Sequence, residues 1–151
     1  MSNESLLIVV LALPFAGSLA AGLFPANARN REAWLAGAVA LAVQALAWAA
    51  YPEMANGQVL RLDFAWLPAL GLNFTIRLDG FAWMFAILVS GIGFLVVLYA
   101  RYYLSPADPV PRFFSFFLAF MGSMLGVVLA GDLIQLVFFW ELTSFFSFLP
   151  V

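Results

Sequence analysis

Apolar residues in this chain come in five long blocks, at residues 5–24, 34–51, 81–100, 113–130 and 133–151. A helix rises about 1.5 Å per residue, so blocks of this size reach about 27–30 Å, the thickness of a bilayer's hydrocarbon core. In lipid an open chain satisfies its backbone groups only as helix, so each block predicts a membrane-spanning helix. One stretch, residues 58–79, follows another pattern. There "LRLDFAW" and "LNFTIRLD" alternate with period two around "LPALG", which predicts a β-hairpin. Leu60, Leu62, Phe64 and Trp66 would share the apolar face with Leu72, Phe74, Ile76 and Leu78, and Arg61, Asp63, Arg77 and Asp79 the polar one. An isolated hairpin is marginal, so that apolar face needs covering by the membrane surface or a neighbouring protein. The expected fold class is an all-α membrane protein, a single membrane region of about five transmembrane helices with one extracytoplasmic β-hairpin loop.

Composition agrees: 66% of the residues are hydrophobic and 9% charged, against about 45–50% apolar and about 25% charged in soluble domains. Five crossings use most of the 151 residues, so function must lie within the bilayer. The formal net charge of -2 gives no reason to expect a nucleic-acid partner. With neither Cys nor His, the chain offers no thiolate or imidazole ligand, so no metal site and no cofactor are expected. The Ala26-Asn27-Ala28 triplet resembles a signal-peptidase site. However, "MSNE" lacks a basic residue and the apolar run is too long for a signal peptide, so a retained first span is expected.

The six basic residues are all arginine, and they divide unevenly. Arg29, Arg31, Arg101 and Arg112 lie around two connections; only Arg61 and Arg77 lie around the alternate ones. By the positive-inside rule the first pair of connections is cytoplasmic, which puts the N-terminus and the hairpin outside. Gly122 and Gly126, Gly17 and Ala21, and Ala36 and Ala40 stand four apart, a spacing that suits close helix packing, although small residues are common in membrane helices anyway.

Most charges have a plain explanation. Arg101 and Arg112 flank helix ends and can snorkel, Glu32 and Asp108 fall in loops, and Asp132 is placed to open the fifth helix. Glu141 differs. Eight residues beyond Leu133, it lies about 12 Å into a helix, near mid-bilayer. Ionised there it costs about 2.5–3.5 kcal/mol on insertion scales, so it must be protonated, paired or hydrated. Helical spacing puts Ile134, Val137, Phe138, Ser144, Phe145 and Phe148 on or near its face, and no basic residue lies within a span to pair with it. A neutral carboxyl used as helix glue is the plainer reading; a proton or cation pathway is the sharper one. Thr143, Ser144 and Ser147 could extend a polar path beside it, or bond back to their own helix.

The segments "RLDGFAWMFAILVSGIGFLVVLYARYYLS" and "PRFFSFFLAFMGSMLGVVLAGDLIQLVFFWELTSFFSFL", joined by "PADPV", closely resemble the N-terminal part of the A subunit of Mrp/Pha-type multisubunit monovalent cation/proton antiporters. The likeness is strongest over residues 76–149. The region is also similar to the proton-pumping subunits of respiratory complex I, through the LDG opening of the third span and the Trp140-Glu141 pair. Its continuation as Thr143-Ser144 favours the antiporter. The resemblance implies a partial antiporter-like fold in the bacterial inner membrane. It also implies partner subunits, exchange of H+ for Na+ or K+ rather than enzymatic chemistry, and an ion pair between Glu141 and a lysine two helices further on. Pro150 stands where the family continues its helix, so the chain is expected to be an N-terminal fragment of a longer protein, inactive in transport alone. From another class stands a complete small proton-coupled exporter or structural membrane subunit.

Overall fold

The computed structural model describes residues 3–23, 29–67, 72–103 and 110–148. The elements run α1 (Asn3–Gly22), α2 (Arg29–Ala49), α3 (Tyr51–Ala55), β1 (Leu60–Leu67), β2 (Leu72–Leu78), α4 (Gly80–Tyr103), α5 (Val110–Val128) and α6 (Leu133–Phe148). An apolar helix thus stands at each of the five expected positions. Three contain stretches long and apolar enough to cross a membrane, Ser5–Gly22, Arg31–Ala49 and Gly80–Tyr103; Arg112–Val128 and Leu133–Phe148 are shorter apolar helices. The expected ends at residues 24 and 149–151 and the "PADP" connection with Asp108 lie outside the described residues.

The helices form a bundle in which α1 lies against α5 and α2, α2 against α4, and α6 along α5. Small residues mark the crossings. A methyl group on Gly17 would stand 2.8 Å from Cγ2 of Val39, and one on Gly122 would stand 2.8 Å from the Phe15 ring. Ala21, Ala36 and Ala40 are fully buried. These small residues therefore stand on packed faces, where a neighbouring helix's side chain fills the space a larger residue would take.

The short helix α3 was not visible in the apolar pattern. Pro52 lies in its first turn, where a missing N–H costs nothing, and Gly57, at φ 75°, follows its end. The Gly57 N–H donates to Met54 O at 3.1 Å, closing the turn with the left-handed residue such an end favours. Nearby, the Trp83 indole N–H donates to Ala47 O at 2.6 Å, tying the start of α4 to the end of α2. The Trp83 ring stacks edge-on against Trp48 at 5.2 Å.

The hairpin has the predicted strands, and the structure sets their register: Leu60 pairs with Leu78, Leu62 with Ile76 and Phe64 with Phe74, with an irregularity between Ala65 and Leu67. Its charges pair along each strand, Arg61 with Asp63 and Arg77 with Asp79, each at 3.2 Å. What covers its apolar face differs from the expectation. Leu60, Ile76 and Leu78 are buried in one cluster with Leu6, Leu7 and Val10 of α1, Leu125 of α5, Leu129 just beyond it, and Phe139 of α6. The chain supplies its own cover, because the helix ends leave an apolar floor the hairpin can close.

The turn between α5 and α6 fixes the hairpin further. The Arg77 N–H donates to Leu129 O at 2.8 Å and the Gly131 N–H to Thr75 O at 3.0 Å, giving a strand-like bridge between Ile76 and Ala130. A methyl group on Gly131 would stand 2.5 Å from Cβ of Thr75 and 3.1 Å from its carbonyl oxygen. Glycine is needed here because the two backbones touch.

Candidate functional site

Helix α6 starts as the sequence suggested. The Asp132 carboxylate accepts from the Gln135 N–H at 2.7 Å, an N-cap that also suits the helix dipole. Its packed stripe is Gln135 and Phe139, both buried, with Leu142 partly buried. Gly126 of α5 lies against Phe139, whose ring atom Cε1 would be 2.7 Å from a methyl group added there. Ile134, Val137, Phe138, Phe145 and Phe148 turn the other way and are exposed.

Glu141 lies on that outward face, exposed, with the five apolar side chains around it. Among the described residues no hydrogen bond or ion pair reaches it. Ser144, one turn on, is exposed on the same side. Thr143 and Ser147 direct their hydroxyls to their own helix, to Phe139 O at 2.8 Å and Ser144 O at 3.1 Å. In this arrangement Ser144 is the hydroxyl of the three without such a back-bond.

Several polar groups in the interior escaped the sequence reading. Glu32, expected in a loop, stands in the first turn of α2 with no exposed surface, and both its carboxylate oxygens lack hydrogen-bond partners. The α2 helix begins earlier than the apolar run did, so its N-terminal turn is carried into the bundle. The single hydroxyl proton of Ser90 on α4 is within reach of two acceptors, the side-chain oxygen of Gln44 on α2 and Ala86 O at 2.8 Å. Ser18 and Ser115 join α1 and α5 reciprocally, each hydroxyl donating to the other's carbonyl, at 2.6 and 2.8 Å. Gln135 accepts from the Thr75 N–H at 2.9 Å, while its amide nitrogen has no partner. A signal existed for Gln44 and Ser90: each is a lone polar residue within an apolar run, where a hydrogen bond must come from another element.

Outside the helices, Asp63 accepts a hydrogen bond from the Thr75 hydroxyl at 2.6 Å. That bond, with those from Arg61 and its charge, holds the Asp63 carboxyl below the usual carboxylate range.

Comparison with known proteins gives a consistent neighbourhood. Residues 66–114 match the family model described as NADH-ubiquinone oxidoreductase (complex I), chain 5 N-terminus. The probable A/B subunit of a K(+)/H(+) antiporter of Rhizobium meliloti (strain 1021) is 58% identical over 148 residues, 98% of this chain and 15% of that protein. The A1 subunit of a Na(+)/H(+) antiporter of Staphylococcus aureus (strain JH9) is 48% identical over 96 residues, 64% of this chain and 12% of that one. The chain therefore spans 15% or less of the length of these relatives. Among solved structures, the Mrp complex from Dietzia sp. DQ12-45-1b aligns over 99% of this chain and 16% of its own, with 28% identity and a TM-score of 0.71. The membrane-bound sulfane sulfur reductase, an archaeal respiratory membrane complex, aligns over 95% of this chain and 22% of its own, with 26% identity and a TM-score of 0.77.

Proposed function

We propose that this multi-pass membrane chain, a relative of the A subunits of Mrp/Pha-type monovalent cation/proton antiporters, is a membrane subunit of a multisubunit complex that exchanges Na+ or K+ for H+. In this reading all five apolar helices cross the bacterial inner membrane, with the N-terminus and the hairpin outside and the arginine-bearing connections in the cytoplasm. The partners are the other subunits of the complex, and the work is transport, not enzymatic turnover.

The observation that carries the reading is Glu141, an exposed carboxyl on an outward face of α6 otherwise made of large apolar side chains and Ser144. Such a group destabilises a lipid-facing helix, and is retained where a second element brings a counter-charge or water to it. We assign it the role of a proton-binding group whose charge state responds to a basic residue on the covering element. Ser144 supports the same path, and Thr143 and Ser147 join it only if their hydroxyls leave their own carbonyls. Glu141→Gln keeps the shape and removes the titration. In inverted vesicles carrying the assembled complex it should abolish cation-dependent proton movement with expression unchanged; undiminished antiport would remove the assignment.

The family-model match over residues 66–114 favours a second reading, a proton-pumping subunit driven by quinone reduction in other chains. Proton movement that needs a quinone substrate and no added cation would select it over the antiporter.

A further inference from the structure

Between α2 and α4 runs a groove of about 300 Å³ that the proton pathway does not use. Trp34, Gly37 and Leu41 line it from α2, and Phe94 and Leu98 from α4; the charge on its wall is Arg101, at one end. Seven residues separate Trp34 from Leu41, so the groove follows about 10 Å of helix. Small residues hollow it: a methyl group on Gly37 would meet Phe94 at 3.6 Å and Val97 at 3.9 Å, ordinary contact with room beyond. Both helices are long and apolar enough to cross a membrane, so the groove lies at the depth of lipid chains.

The end at Arg101 has the character of a membrane interface. Trp34, Tyr102 and Tyr103 are 72%, 77% and 71% exposed there, the aromatic belt expected at headgroup level. The Arg101 guanidinium sits over the Tyr102 ring, 5.2 Å from its centre, and donates to the Tyr102 hydroxyl at 3.3 Å. Arg31 and Arg112 are exposed at the same end, whereas Glu32 is fully buried. The described surface at this end is thus positively charged, which attracts a headgroup of net negative charge and gives nothing to the ammonium of a zwitterionic one.

We propose that the α2–α4 groove is a binding site for an anionic phospholipid, with one acyl chain laid along Leu41, Phe94 and Leu98 and the headgroup phosphate held at Arg101. The site is independent of Glu141 and stands whichever transport reading holds. Its consequence is a lipid preference: one basic residue near a membrane surface contributes about fivefold in attraction to acidic lipid.

The test uses native membranes containing the assembled protein, supplemented with phosphatidylglycerol or phosphatidylcholine bearing the same photoreactive acyl chain. After irradiation, labelled peptides are counted by mass spectrometry. The expectation is labelling of residues 34–41 and 94–98, about fivefold stronger with phosphatidylglycerol. Arg101→Gln should bring the ratio toward one, Arg101→Lys should retain most of it, and Gly37→Leu should remove the label from α2 with either lipid. If Gly37→Leu fails to fold, the two Arg101 variants decide. Equal labelling by the two lipids, or a preference untouched by Arg101→Gln, overturns the proposal. So does absence of label in the unaltered protein, which would mean that a protein segment covers the groove.

Discussion

Replacing Gly131 by alanine tests how the hairpin is held. The added methyl would stand 2.5 Å from Cβ of Thr75 and 3.1 Å from its carbonyl oxygen, whereas carbon atoms rest at about 3.5–4.0 Å. Relief therefore requires β2 and the α5–α6 turn to separate by roughly 1 Å. The bonds from Gly131 N–H to Thr75 O and from Arg77 N–H to Leu129 O, at 3.0 and 2.8 Å, would then leave the normal range of about 2.7–3.2 Å. Two such backbone bonds contribute about 1–3 kcal/mol together. Keeping them and bearing the overlap costs about 1–3 kcal/mol instead. These are alternatives, so the expected loss is about 1–3 kcal/mol, or about 5- to 150-fold in the equilibrium for hairpin opening. Amide hydrogen exchange on the purified protein in nanodiscs reads this directly. Peptides covering 72–79 and 129–132 should exchange faster by that factor, while 86–97 in α4 should not change. Unaltered exchange in the hairpin would show that it is not fastened at this turn.

Gly126→Ala pushes a methyl into the Phe139 ring and should lower stability by about 1–3 kcal/mol, with much of the loss recovered when Phe139→Leu is added; thermal unfolding of the single and double variants checks this. Ser90→Ala removes the bond to Gln44 between α2 and α4, and the same assay should register a loss of about 0.6 kcal/mol, the average for such bonds in a membrane protein. For Asp63 the folded pKa is depressed, so its contribution is present above the ordinary value of about 3.9 and is lost as pH falls through the lower folded value. Hairpin exchange should accordingly rise only below about pH 4, and Thr75→Val should move the Asp63 titration, followed by NMR, upward toward the ordinary range.

The outward face of α6 and the hairpin are two halves of one arrangement. Asp132 caps the helix, Gln135 accepts from Thr75 in β2, and Phe139 packs on Gly126, so three points on one side of α6 fix its rotation. That rotation turns Glu141 away from the bundle. A helix held this way presents the Glu141 carboxyl on the side that α5 and the hairpin leave open.

The sequence alone determined the apolar blocks, the two hairpin strands and the position of Glu141 along α6, because each follows from a local period or a residue count. Period two fixes which side chains share a strand face, and 1.5 Å per residue fixes position along a helix. It also showed which glycines could allow close approach, but not which neighbour fills the space. Three matters required the tertiary structure. The hairpin's apolar face is closed by α1, α5 and α6, since docking depends on surfaces far apart in the chain. Glu32 became an interior residue because α2 begins before its apolar run does. The outward aim of Glu141 depends on which stripe of α6 meets α5. That helix is apolar nearly all round, so no periodicity in it favours one face, and only the contacts at Gln135 and Phe139 choose.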